Sequence, residues 1–176
     1  MNSEKMAEAI GRHLFSEEGM HVYAVLDGAS IKNLRPKLYN LRPEHVCLYR
    51  GRLEPDMAEV APYLVRLEQG SAFAQWVLGD GWGKHWGIFA VTRAELNPLR
   101  THFRRFLMVH DSDGKPLYFR YYDPRVLRVY LPTCTSQELK TVFGPVESFL
   151  VEDEDKRTAV RFRKAVDTLY QETMHV

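Results

Sequence analysis

The sequence predicts an α/β or α+β domain with a central mixed sheet flanked by helices, and three observations carry that expectation. Short apolar runs such as His21-Val22-Tyr23-Ala24-Val25-Leu26 and Ile88-Phe89-Ala90-Val91 have the length and composition of buried strands. They are interspersed with stretches whose apolar residues recur every three or four positions, as in Leu96, Leu99, Phe103, Phe106 and Leu107. An internal hairpin pattern adds a third sign: Met108-Val109-His110 and Leu117 to Tyr122 flank the turn Asp111-Ser112-Asp113-Gly114.

Taken in order, Met6, Ile10 and Leu14 share one face over residues 4–15, which predicts an amphipathic helix within an N-terminal segment 1–20. The first strand stops at Asp27-Gly28, a turn that also caps the next helix. Ile31, Leu34, Leu38 and Leu41 predict that helix, shortened by Pro36. Val46 to Tyr49 reads as a strand, Leu53 to Ala61 as loop with one turn near Met57, and Tyr63 to Leu67 as a third strand. Ser71 caps a helix carrying Phe73, Trp76 and Val77, and Gly79 stops it.

The glycine-aromatic loop Gly81-Trp82-Gly83-Lys84-His85-Trp86-Gly87 feeds strand 88–91, after which Thr92 and Glu95 form a capping box. Asp123-Pro124 opens a helix that Pro132 stops. Thr135 and Glu138 form a second capping box, on a helix ending at Gly144-Pro145. These two helices make a small helical subregion at about 123–144. Val146 to Val151 and Thr158 to Lys164 read as strands joined by a charged turn, and 166–176 as a helical or loose tail. No linker or repeat divides residues 21–165, so one domain is expected there.

Composition bounds the function. The 24 basic and 23 acidic residues give a formal net charge of +1, which argues against a field suited to nucleic acid. The N-terminus is polar and no apolar run approaches the roughly 20 residues of a membrane helix, so neither a signal peptide nor membrane insertion is expected and the chain reads as cytoplasmic. Cys47 and Cys134, each among apolar neighbours, read as buried free thiols. The histidines fall at no metal-ligand spacing, and neither metal nor cofactor is expected.

Catalytic motifs are absent from the sequence: it holds no nucleophile elbow, phosphate loop or paired-histidine zinc helix. Gly79-Asp80-Gly81-Trp82-Gly83 superficially resembles a nucleotide-binding loop, yet its spacing differs and Trp82 would obstruct a phosphate. Asp27 ends a strand where α/β folds place catalytic carboxylates, and a small hydrolase or transferase would use it with His85 or Asp123.

Arg120 and Asp123 are expected to pair and fix the strand-to-helix turn beside Pro124 and Arg125. Asp27, Gly28, Gly83 and Gly87 are expected to be architectural as well. For a protein partner the candidate contacts are Trp82, Trp86, Tyr121, Tyr122 and the basic face of Arg100, Arg104 and Arg105, with His102. Glutamate at positions 104 and 105 is expected to weaken that contact without lowering stability.

Six pieces stand in a telling order: Tyr23-Ala24-Val25-Leu26-Asp27-Gly28-Ala29; Val60-Ala61-Pro62-Tyr63-Leu64-Val65; Gly81-Trp82-Gly83 with Trp86-Gly87-Ile88; Leu99 through His102-Phe103-Arg104-Arg105-Phe106-Leu107; Phe119-Arg120-Tyr121-Tyr122-Asp123-Pro124-Arg125-Val126-Leu127; and Phe143-Gly144-Pro145. Together they span about residues 22–151 and resemble the adaptor or chaperone family (Tap or Tec) of bacterial type VI secretion systems. The resemblance implies a non-secreted protein that binds a toxic effector and delivers it to the VgrG spike, with no catalytic activity and no cofactor. It carries over no catalytic residues, and it leaves the client effector unnamed.

Overall fold

A strand that is apolar on both sides belongs to a sheet covered on both faces. The computed structural model describes residues 2–110, 112–166 and 168–176. Its elements begin α1 (Ser3–Leu14), β1 (His21–Asp27), α2 (Leu34–Leu41), β2 (His45–Cys47), α3 (Pro55–Val60), β3 (Pro62–Leu67), α4 (Ala72–Asp80), β4 (Gly87–Thr92) and α5 (Leu96–Arg104). They continue with β5 (Met108–His110), β6 (Pro116–Tyr118), α6 (Pro124–Tyr130), a 3₁₀ turn at Leu131–Thr133, α7 (Ser136–Phe143), β7 (Val146–Glu152), β8 (Thr158–Lys164) and β9 (Leu169–His175).

The α/β class holds, and the layers explain the sequence pattern. Val22, Ala24 and Leu26 of β1 pack with residues of α1, α2 and α4, while Tyr23 and Val25 pack with residues of α5, α6 and α7. β3, β4, β7 and β8 divide their side chains the same way, so helices cover both faces.

The sheet runs β2-β3-β1-β4-β7-β8-β9. A mixed sheet was expected; every pairing is antiparallel instead. The register gives the reason. Asp27 at the end of β1 lies opposite Pro62 at the start of β3, and Leu26 opposite Gly87 at the start of β4. β3 and β4 thus run the same way on either side of β1, each opposed to it, and α4 crosses from one end of the sheet to the other to join them.

Several local expectations change. α3 forms where loop was expected, with Pro55 in its first turn. α4 runs through Gly79 to a cap at Gly81; the glycine serves packing instead, since a Cβ there would lie 2.5 Å from the Ser3 carbonyl oxygen of α1. Thr92 stays in β4: its hydroxyl donates to the Pro145 carbonyl (2.6 Å) and accepts from Ala94 N (2.9 Å). α5 therefore begins after Glu95 without a capping box and ends at Arg104, leaving Phe106 and Leu107 beyond it.

The Thr135–Glu138 capping box is present. The helices at 123–144 pack onto the sheet, with Leu127, Leu131, Leu139 and Phe143 in its core. The tail is neither helical nor loose: β9 pairs with β8 along its length. Cys47 and Cys134 are free and only partly buried. The predicted hairpin forms as β5–β6; Asp111 of its turn lies outside the described residues.

Among the described residues no helix is long and apolar enough to cross a membrane. No group of three or more His, Cys, Asp or Glu side chains among them is placed to hold a metal ion.

Candidate functional site

β1 delivers Asp27, almost wholly buried, to the end of the sheet. Its Oδ1 accepts from Ala29 N (3.1 Å); its Oδ2 accepts from Ser30 Oγ (2.5 Å) and from Arg120 Nη2 (2.5 Å). Arg120 lies over the Tyr122 ring, 5.9 Å from its centroid. Partial burial opposes the Arg120 charge, but the Asp27 carboxylate outweighs it and the pKa is raised. Burial and the same carboxylate push the Tyr122 phenol up to about 12.

The expected Arg120–Asp123 pair is therefore replaced by two others. Asp123 caps α6 through Arg125 N (3.0 Å) and binds the Arg125 guanidinium at 3.0 and 2.7 Å. Burial works against the Asp123 charge, and these Arg125 contacts still carry its pKa below the usual carboxylate range. Asp27 closes a turn with Ser30 rather than capping α2, which follows Asn33 in the left-handed region.

The glycine-aromatic loop wraps an anion supplied by the chain itself. Glu152, at the end of β7 and almost wholly buried, accepts from Gly83 N (2.6 Å) and His85 N (2.8 Å). The His85 imidazole pairs with the same carboxylate through Nδ1. Backbone N–H groups that converge in this way are suited to phosphate oxygens. Here the carboxylate occupies them, so the resemblance to a nucleotide loop ends at composition. Asp27, His85 and Asp123, the suggested catalytic set, hydrogen-bond to separate partners among the described residues.

The aromatic contact candidates are mostly interior. Trp82 is buried, stacks on Phe89 and donates from Nε1 to the Lys156 carbonyl (2.8 Å). Tyr121 is buried against Phe103 and donates to its carbonyl (3.1 Å), and Tyr122 is buried beside it. Trp86 is half-buried against Trp76.

The basic face is also divided. Arg104 turns inward: Nε donates to Leu48 O (3.1 Å), and Nη2 to Cys47 O (2.9 Å) and Tyr49 O (3.1 Å). His102 is buried, hydrogen-bonded through Nε2 to the Val142 carbonyl (2.8 Å), and burial lowers its pKa. Arg105 is exposed and Arg100 half-buried.

Sequence reasoning missed the surface that the fold does expose. The hairpin stands off the main sheet with Met108, Val109, Leu117 and Tyr118 all exposed, Tyr118 by 69%. Between it and the segment from Leu48 to Met57 runs a groove of ≈ 280 Å³. Leu53, Met57, Leu107, Met108 and Tyr118 are among the residues that line it, and its charged lining residues are Arg50 and Arg104. The available signal was an apolar pair facing an apolar pair across a polar turn, a pattern that by itself reads as core.

The family model described as "Domain of unknown function (DUF4123)" matches residues 22–141, well over half of the chain. The chain belongs to this family. No curated protein and no solved structure matches it. The DUF4123 segment contains β1 with Asp27, the glycine-aromatic loop, α5, the hairpin and Arg120. Glu152, which clasps that loop, lies beyond it.

Within DUF4123 the inward turn of Arg104 reverses an expectation. Arg104→Glu removes three donors from the 47–49 carbonyls and sets a carboxylate against them, a loss of about 2–3 kcal/mol. Arg105→Glu, on the surface, changes stability by about 0.5 kcal/mol or less. Urea denaturation of the two variants should show a clear drop in midpoint for the first alone. Equal midpoints would remove Arg104 from the fold's support.

Proposed function

We propose that this DUF4123 chain is a non-catalytic adaptor of bacterial type VI secretion, acting in the cytoplasm to bind a toxic effector and promote its loading onto the VgrG spike. One observation carries the reading: the exposed apolar hairpin β5–β6 and the groove beside it. Contiguous apolar surface of this kind marks a place where another protein docks. The polar groups at the sheet's end favour the same reading. Asp27 is held by Arg120 and Ser30, Glu152 by the loop, and Asp123 by Arg125, which leaves these carboxylates committed to architecture. A hydrolase or transferase built on Asp27 would need that carboxylate within reach of a proton donor or acceptor on a substrate, with His85 or Asp123 beside it. The near-neutral net charge suits a protein partner better than nucleic acid. The link to secretion rests on the resemblance of the ordered motifs.

The test is affinity purification of the tagged chain from its own cells at low salt, with mass spectrometry of the bound proteins. Recovery of a VgrG-type spike together with one toxin polypeptide supports the reading. A folded bait that retains neither of them overturns it.

A further inference from the structure

The groove has a chemistry that goes one step past the adaptor reading, on which it rests. Arg50 and Arg104 line it, and no carboxylate is among its lining residues. Arg104 spends its hydrogen bonds on neutral carbonyls, so its charge finds no anion among the described residues. Burial and then neighbouring arginines lower its pKa, and Arg50 lies beside it in the lining. Like charges held side by side repel each other. A carboxylate supplied from outside relieves that repulsion.

The apolar part of the lining is just as specific. Met57 and Met108 are unbranched and adapt to the shape of what they meet, and Tyr118 adds a broad exposed ring that sits 6.2 Å from Tyr49. The groove is at the small end for a ligand site and holds a few side chains of a single segment.

We propose that this groove seats a segment of the effector in which apolar side chains are interleaved with aspartate or glutamate. The apolar side chains rest on Met57, Met108 and Tyr118, and the carboxylates meet Arg50 and Arg104. Recognition thus combines apolar burial with charge complementarity, the second setting which segments are accepted.

The experiment places photo-crosslinking benzoylphenylalanine at Tyr118, Tyr39 or Tyr170, one at a time, in the full chain in its own cells. All three side chains are exposed, and Tyr39 and Tyr170 lie outside the groove. The expected result is one adduct from position 118, to a polypeptide whose crosslinked peptide carries apolar residues among Asp or Glu. Arg50→Glu, an exposed position, lowers its yield about tenfold. Adducts from 39 or 170 alone overturn the groove and leave the adaptor reading standing. An adduct from 118 to a basic peptide, to RNA or to a second copy of this chain overturns the proposed occupant. No adduct from any position overturns the groove as well, and recovery of spike and toxin in the purification above decides separately whether the adaptor reading falls with it.

Discussion

Gly87→Ala is expected to prevent the central sheet from closing. A Cβ at this position would lie 2.1 Å from the Val25 carbonyl oxygen and 3.1 Å from Leu26 Cα, both backbone atoms of β1. Neither strand can yield. β1 is held between β3 and β4, and β4 between β1 and β7. The cost exceeds about 4 kcal/mol, at the extreme of single substitutions. For a domain of this size it lowers the thermal midpoint by roughly 10 °C or more, or abolishes folded expression.

Gly51→Ala is the control. Gly51 has φ of 79° with nothing within 4 Å of the added atom, so it reports backbone strain alone, about 1–2 kcal/mol. Circular dichroism melts of the two variants compare clash with strain. A Gly87→Ala melt within a few degrees of the parent would mean that β1 and β4 do not approach so closely.

The parts of the fold legible in the sequence are those where one short segment decides its own structure. β1 and β4 are apolar through their middles, Val22 to Leu26 and Ile88 to Val91, because both of their faces are covered, and that shows in four or five consecutive residues. The Thr135–Glu138 box and the Asp123 cap are settled within four residues. β9 was illegible because Tyr170 to Thr173 are exposed and carry no alternation; it is a strand because β8 offers a partner. Thr92 had the right spacing for a cap, but pairing with β7 kept it in the strand.

The polar network was harder to read, because its partners are remote in sequence. Arg120 had Asp123 three residues away and took Asp27 instead, 93 positions distant. Asp123 could then take Arg125, which suits an N-cap carboxylate at the mouth of α6. Arg104 looked like surface because its neighbours in sequence are charged; the 47–49 backbone, arriving from β2, turned it inward. The hairpin was predicted as structure and missed as surface for the converse reason. Alternation and turn chemistry establish that two strands pair, and only the tertiary fold shows that nothing covers them.

Glu152→Ala is the other substitution with a large expected effect, and it tests whether the loop at 81–87 is held by its own anion. The carboxylate is almost wholly buried and takes the N–H groups of Gly83 and His85 as well as the imidazole of His85. Removing it leaves the two backbone donors unsatisfied, an expected loss of about 2–5 kcal/mol. Glu152→Gln keeps an acceptor oxygen for one of the N–H groups and turns an amide donor toward the other. Its loss should fall near half of that, about 1–3 kcal/mol. The bond from Trp82 Nε1 to Lys156 O is untouched in both, so the loop loosens locally before it detaches. Urea denaturation ranks the three proteins, and hydrogen exchange at the Gly83 and His85 amides locates the change. Faster exchange at these amides in both variants, greater for alanine, is the outcome that follows from the geometry. Unchanged protection there would mean that the glycines and tryptophans hold the loop without Glu152.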